Sequence, residues 1–486
     1  MRILAVKVRS RVFAGIASAG LFMLALEQTA ALEPVRKNGF LSTKPPTPYI
    51  HYLSAVEPHR RVLVVHGLDS NKEFMQIFCA ALADAGFEVY AIDLPGHGDS
   101  TSGFNGLLAR GVVEQAVSYL SPDVAVGHSM GASLLIDLAH DVNFPALVLI
   151  SPAPTQVNGL QFKHTLVTTE PWDLPAVSTF APQLEGVELV QFEMGMHSSA
   201  LIYPSQIREI VSWLGGNPYR LHTSARLVWL GLMFTAAIAL AIALLPFRPG
   251  ASEREARGRQ PEALNSARAF PQREILVSFV IAGGISVIVQ RFVVVFHWIR
   301  LYSTDYLVSF LFLAGLVLMI SLALRKQSIT WKWPKPAMNS RSVLKAIGAA
   351  AFVIVVPGML AGSHLTHMTL SDGRWWRFPI IAAASFPLFL FDEIAVRHAG
   401  RGWQNAGTAI ITRALLIAWT ATGVLIFNRG SAFLVLLLGL ILLFWVALWF
   451  FTGIVHRHTQ NPAVTALFAA LVQGWMFAAW FVTVRS

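Results

Sequence analysis

The order of apolar and polar positions divides the chain into a mixed stretch and a lipid-like stretch. Between Lys37 and about Pro218, short apolar runs alternate with segments of helix length: Arg61-Val-Leu-Val-Val65, Glu88-Val-Tyr-Ala-Ile92, Val124–Val126, Ala146–Ile150, Thr165–Thr168 and Val187–Phe192. Strands spaced by helices predict a parallel, doubly wound sheet. In such a sheet ligand sites gather at the carboxyl ends of the strands. After Arg226 the pattern changes to apolar runs near 227–245, 275–296, 304–324, 343–362, 378–396, 408–427, 431–452 and 463–483. Most have about 20 residues, the length a helix needs to cross a bilayer. An earlier run, Val12 to Leu26, follows Arg2, Lys7, Arg9 and Arg11. At about 15 residues it fits either a cleaved signal peptide or an uncleaved signal anchor. The pattern therefore predicts a leader or anchor over 1–31, an α/β domain over 37–218, and an all-α polytopic membrane domain of about eight helices over 226–486.

Composition agrees with a chain that lives largely in lipid. Of 486 residues, 55% are hydrophobic and 13% charged, with a mean hydropathy of +0.56, which excludes an all-soluble protein. A net charge of +10 would point a soluble protein toward nucleic acid. Here the basic residues sit in loops between apolar runs: Arg248, Arg254, Arg257, Arg259, Arg268 and Arg273; Arg325, Lys326, Lys332, Lys335 and Arg341; Arg397, His398 and Arg401; His456, Arg457 and His458. If the first segment crosses outward, all of these loops fall inside and the α/β domain falls outside. Low charge, basic loops and short polar tails predict a bacterial inner-membrane protein, and the sidedness puts its α/β domain in the periplasm. The basic charge reads as orientation, so no nucleic-acid partner is expected. The single cysteine, Cys79, excludes an internal disulfide and makes no metal cluster. A buried helix face is its expected place.

The candidate chemistry starts at Gly127-His-Ser-Met-Gly131, between the run ending at Val126 and the helix-like stretch Ala-Ser-Leu-Leu-Ile-Asp-Leu-Ala. A serine at the tip of a strand-to-helix turn is lifted clear of the sheet, and small residues two before and two after let the flanking backbones pass. Ser129 is the nucleophile this pattern predicts. A serine hydroxyl attacks only when an imidazole takes its proton, and a carboxylate must orient that imidazole. His197, in Glu193-Met-Gly-Met-His-Ser-Ser199 after the last strand run, is the expected base.

From about Tyr49 to Leu214 the chain resembles the α/β-hydrolase family, on four pieces in the family's order. These are His66-Gly67, Asp93-Leu-Pro-Gly-His-Gly-Asp-Ser100, Gly127-His-Ser-Met-Gly131, and an acid followed by a histidine near the end. The resemblance implies a Ser–His–acid relay, an acyl-enzyme and no cofactor. Family members carry Gly-x-x-Asp after the penultimate strand; this chain has Glu170-Pro-Trp-Asp173, so Asp173 takes the acid's place and Glu170, in the glycine's, is the alternative. The oxyanion donors it implies are the backbone N–H groups of Leu68 and Met130. One departure matters: Ser151 to His164 leaves only about a dozen residues where many relatives insert a helical lid. A lidless site needs another cover for an apolar acyl chain, and a membrane surface would serve.

The fold class expected is thus an α/β-hydrolase sheet, mostly parallel and without a lid, joined to an all-α transmembrane domain. The function expected is a membrane-bound serine esterase acting on a lipid or lipid-linked ester. Acyl transfer by the same residues is the alternative within enzymes, and a non-catalytic ligand-binding domain of a transporter or sensor the alternative outside them. The layout also resembles that of eukaryotic inositol deacylases of the lipid-anchor pathway, in plan only. Within the apolar half, Arg291 lies deep in its run and falls, with Arg300, Arg374 and Arg377, toward the outer side. These cations either hold a lipid phosphate or anchor the chain together with Trp298, Trp375 and Trp376. Asp392 and Glu393 are expected to meet water or the basic loop. His364 and His367 are three apart, but the sequence shows no third ligand, so no metal is expected. His128 is expected to pack locally, and His66 and His97 to shape loops.

Overall fold

A computed structural model describes residues 2–484 except 59, 245–270, 327–339, 363–365, 372, 400–402 and 429–432. Arg248, Arg254, Arg257, Arg259, Arg268, Lys332, Lys335, His364 and Arg401 lie outside the described residues. The chain forms two compact units, one of Met1–Glu255 with Leu360–His367, the other of Ala256–Met359 with Met368–Ser486.

The first unit begins with helix α1 (Arg2–Leu32) and continues β1 (Arg36–Leu41), β2 (Thr47–Tyr52), β3 (Arg60–Val65), α2 (Gln76–Asp84), β4 (Phe87–Ile92), α3 (Gly106–Leu120), β5 (Val124–His128), α4 (Met130–Leu138), β6 (Leu147–Ile150), β7 (Thr165–Thr169), α5 (Pro175–Phe180), β8 (Glu188–Gln191), α6 (Pro204–Trp213) and α7 (Thr223–Leu244). The strands make one sheet in the order β1-β2-β4-β3-β5-β6-β7-β8. β2 runs antiparallel to both of its neighbours, and every other pairing is parallel. The expected doubly wound sheet is present.

The central strands are continuous apolar runs because both of their faces are covered. Val62 and Val64 face one layer with Phe78 and Leu82 of α2 and Ile207, Ile210 and Val211 of α6. Leu63 and Val65 face the other with Val113 and Ala116 of α3 and Leu135 and Leu138 of α4. Cys79 is wholly buried in the first layer, as expected, and burial pushes its thiol well above the usual range. Asn105 starts α3 by accepting from the N–H groups of Leu107 at 3.0 Å and Leu108 at 3.2 Å.

Arg226, at the start of α7, is 1% exposed. Its Nη1 and Nη2 each reach an Asp84 carboxylate oxygen at 2.8 Å, while Nε donates to the Leu32 carbonyl at 3.0 Å. One guanidinium thereby ties the ends of α1 and α2 to α7. Asp84→Ala would leave this cation buried without its anion, a loss of about 3–5 kcal/mol. The expected reading is a clear fall in the unfolding temperature of the full chain in detergent. An unchanged temperature would mean that the pair does not hold these helices.

The second unit is helical: α8 (Gln272–Gln290), α9 (Thr304–Lys326), most of α10 (Ser340–Gly362), α11 (Arg377–Ile394), α12 (Trp403–Phe427), α13 (Leu434–Thr459) and α14 (Pro462–Trp480). Across the described residues eight helices are long and apolar enough to cross a membrane, the first of them Val12–Leu32, and Ser342–Val356 is a shorter apolar helix. Two expectations are corrected. The run 275–296 is not one helix: α8 stops at Gln290, whose side-chain amide donates to the Tyr306 carbonyl at 2.8 Å. Arg291 is the exposed cap of that helix rather than a residue deep within it. Asp392 meets neither water nor the basic loops: it makes a buried bidentate pair with Arg413 on α12. Glu393 does meet the basic loops, as expected, through Arg397 and His456.

Candidate active site

β5 delivers its last residue, His128, directly to Ser129, which takes φ 52° and ψ −116° before α4 begins at Met130. A positive φ on a serine costs about 1–3 kcal/mol, which the surrounding contacts must hold in place. The two glycines of the motif are dictated by space. A Cβ on Gly127 would lie 2.5 Å from Ala132 Cα, and one on Gly131 would lie 2.3 Å from the Val65 carbonyl oxygen. A Cβ on Gly67 would meet Ser129 Cβ at 3.1 Å, so the backbone leading to Leu68 passes beside the serine. Leu68 and Met130 thus flank Ser129 from the β3 loop and the start of α4.

The loop after β8 brings His197 to the same place. Its Nε2 is 2.9 Å from Ser129 Oγ, and its Nδ1 is 2.6 Å from Asp173 Oδ1. With Asp173 ionised, Nδ1–H donates to the carboxylate and Nε2 accepts from the serine hydroxyl. Burial pushes Asp173 up, but the hydrogen bonds from His197 and Ser151 outweigh it and hold the carboxyl at about 2. His128 faces the back of this loop. Burial, with His197 close by, pushes it down to about 3, so its neutral ring donates Nε2–H to the His197 carbonyl at 3.0 Å. Glu170, the alternative acid, does not touch His197. It follows β7 as a buried carboxyl whose Oε2 is 2.6 Å from Ser151 Oγ.

Around this centre, His66 accepts the Leu94 N–H on Nε2 at 3.0 Å, which fixes its other nitrogen as donor to the Gly67 carbonyl at 2.7 Å. His97 bonds to the Pro95 carbonyl at 2.9 Å. Both shape loops as expected. The Lys72 ammonium joins the β3 and β4 loops, at 2.6 Å from Asp93, 2.6 Å from Asp99 and 2.8 Å from Glu73. Burial disfavours that charge, but the three carboxylates outweigh it and keep the lysine protonated. Thr366 and His367 meet the same knot: the His367 N–H donates to Asn71 Oδ1 at 3.2 Å, and the Asn71 amide to Thr366 Oγ1 at 3.3 Å. Glu73, Asp99 and His367 offer ligand atoms within 4.8 Å of one another, a grouping no sequence spacing announced. Lys72 already supplies their positive charge.

The arginines assigned to a headgroup are engaged elsewhere. Arg374 is 1% exposed, and its Nη1 donates to the carbonyls of Ala478, Ala479 and Phe481, closing the end of α14. Arg377 donates to the carbonyls of Ile299 and Gly373 and stacks on Trp376. Both are anchors in this geometry, not open anion sites; Arg291 is exposed. What sequence reasoning missed is an apolar rim. Trp172, Met194 and Met196 are 77%, 63% and 66% exposed, next to Asp173 and on the loop that carries His197. Large apolar residues adjoining predicted catalytic positions in a polar loop were the available signal. The 151–164 connection contains no helix, so the rim is not covered by a lid from that segment.

The sequence matches the family described as "Alpha/beta hydrolase family" over residues 62–309, just over half of the chain. Solved structures with a similar fold include a membrane phospholipase A described as a bacterial virulence factor (15% identity, 44% of this chain and 96% of that one, TM-score 0.33). Others are a carboxylesterase from Bacillus subtilis (15%, 42% and 99%, 0.31) and a hydrolase from Pseudomonas aeruginosa PA01 (15%, 37% and 98%, 0.31). No curated protein matches the chain by sequence.

Proposed function

This chain belongs to the alpha/beta hydrolase family, and on that premise we propose that it is a membrane-bound serine hydrolase that cleaves an ester of a lipid or lipid-linked molecule. The observation that carries the reading is the unbroken relay from Ser129 Oγ to His197 (2.9 Å) and from His197 to Asp173 (2.6 Å). Ser129 Oγ attacks the carbonyl carbon while His197 Nε2 takes its proton, and the imidazolium that forms faces the Asp173 carboxylate. The negative charge developing on the carbonyl oxygen is met by the N–H groups of Leu68 and Met130, donors whose positions are set before substrate arrives. Collapse expels the alcohol, protonated by His197, and leaves an acyl-serine. Water, deprotonated by the same histidine, then releases the acid. Alcohol release and acid release thus share one histidine, as acid in the first and as base in the second.

Two features support a lipid ester over a soluble one. The helices long enough to cross a membrane support a place for the chain at a bilayer. Trp172, Met194 and Met196 offer exposed apolar surface where an acyl chain would lie. The basic residues of the sequence, by their sidedness, support an active site outside the cytoplasm. The test uses the full chain in membranes, first labelled with a fluorophosphonate, then given phospholipid vesicles and p-nitrophenyl acetate in parallel. Each buried methylene contributes about 0.8 kcal/mol, so even a few in contact with the rim should favour the lipid by at least about tenfold in kcat/KM. Labelling with hydrolysis of the short ester alone would remove the lipid assignment. No labelling would remove the enzyme.

A further inference from the structure

The relay does not end at Asp173. Ser151 follows β6, and its Oγ lies 2.6 Å from Glu170 Oε2 and 2.5 Å from Asp173 Oδ2. A hydroxyl has one hydrogen to donate. Were both carboxyls ionised, one of these contacts would set lone pair against lone pair at hydrogen-bonding distance, in a site shielded from water. A second proton must therefore sit on one of the carboxyls. Asp173 is committed as the anion: its Oδ1 accepts from His197 and from the Leu174 N–H at 2.7 Å. Glu170 is 3% exposed, its Oε1 accepts the Ala200 N–H at 3.1 Å, its carboxyl also lies within hydrogen-bonding reach of Asp173, and among the described residues no lysine or arginine bonds to it. The proton belongs on Glu170.

We propose that Glu170 is a positioning residue that works in its protonated form, its O–H donating to Ser151 and the Ser151 O–H donating to Asp173, so that the relay runs Glu170–Ser151–Asp173–His197–Ser129. The proposal rests on the hydrolase reading and deepens it. In this arrangement both oxygens of the triad carboxylate are pinned, one by the imidazole and one by the serine, and no second negative charge competes for the donors. The family's glycine at this position offers no such group, so the extra support is a property of this chain.

The arrangement carries its own pH limit. Burial, joined by the neighbouring Asp173, pushes Glu170 up to about 7 against the pull of Ser151 and the Ala200 N–H. The titratable groups that bear on it are Asp173 on its own loop and, beyond Asp173, His197 from the β8 loop. His128 at the end of β5, whose ring contacts the His197 carbonyl, stays neutral throughout the neutral range. Below about 7 Glu170 keeps its proton and the relay is complete. As pH rises through that value, two carboxylates share one hydroxyl hydrogen, and Asp173 loses either its second donor or its alignment with His197. Reactivity of Ser129 should fall on that side.

The experiment measures the rate of fluorophosphonate labelling of the full chain across the neutral range, which requires no knowledge of the substrate. The natural chain should show a descending inflection near neutrality of about tenfold, the scale of one lost charge-assisted hydrogen bond. Glu170→Gln presents an amide N–H to Ser151 at every pH and keeps an oxygen for Ala200, so the descent should vanish. Ser151→Ala should erase it as well. A second measurement is independent of catalysis: the infrared difference between the natural chain and Glu170→Gln should contain the carbonyl stretch of a protonated carboxylic acid on the acid side, lost on the alkaline side. The same inflection in Glu170→Gln, or no such band, overturns the proposal. A natural chain that never labels overturns the hydrolase reading instead, and the band still decides the proton.

Discussion

Ser129→Ala is expected to abolish covalent labelling by a fluorophosphonate and to lower ester hydrolysis by about a millionfold, the scale on which removal of a relay serine acts. Among the described residues Ser129 alone combines a positive φ, a place at the junction of β5 and α4, and an oxygen 2.9 Å from an imidazole nitrogen. Alanine fits the same backbone space, so the unfolding temperature should change little while activity disappears. It removes the hydrogen bond to Nε2 of His197, a half-buried ring that solvent reaches. Residual labelling at this magnitude of protein integrity would move the nucleophile elsewhere.

The second large effect is expected at Asp173. Its Oδ1 both orients the His197 ring and stabilises the charge the ring gains during attack. Asp173→Asn keeps the shape but presents an amide, which favours the wrong tautomer of the imidazole and removes the anion. A fall in turnover of about 10⁴-fold is the expected outcome. The contrast with Glu170→Gln is diagnostic, because that change alters the shape of the pH profile and leaves the anion facing His197 in place. If the two substitutions exchanged roles, the acid would be Glu170.

The parts of the fold that sequence made legible are those where burial on both faces forces a continuous apolar run. β3, β5 and β6 are of this kind, and β3 and β5 end where a motif begins. β1, Arg36-Lys-Asn-Gly-Phe-Leu41, carries no such signal: it is an edge strand, mostly uncovered, with polar residues and a glycine in its middle. Its only partner, β2, holds it by backbone bonds that side-chain pattern does not report. In the membrane half, length and hydropathy located the helices but not their pairings. Arg413 sits in an apolar stretch, and nothing local shows that Asp392 from another helix meets it. The end of α8 at Gln290 was hidden for a similar reason, since Phe292-Val-Val-Val-Phe296 prolongs the apolar run after the helix has stopped. In the site, Ser129 and His197 followed from chemistry and order, and Asp173 from the family resemblance, with Glu170 as its alternative. The partnership of Ser151 with two carboxyls did not, because it depends on the ends of two adjacent strands, β6 and β7, lying side by side.

The burial of Cys79 makes the natural chain a ready background for labelling chemistry. Its thiol is wholly enclosed between α2 and the sheet and held protonated, so alkylating reagents will not find it while the protein is folded. A cysteine placed at any exposed loop position then becomes the one reactive thiol of the molecule. Membrane-impermeant maleimides added to intact cells, one loop at a time, would trace the path of the chain across the bilayer without first removing a native residue from the core.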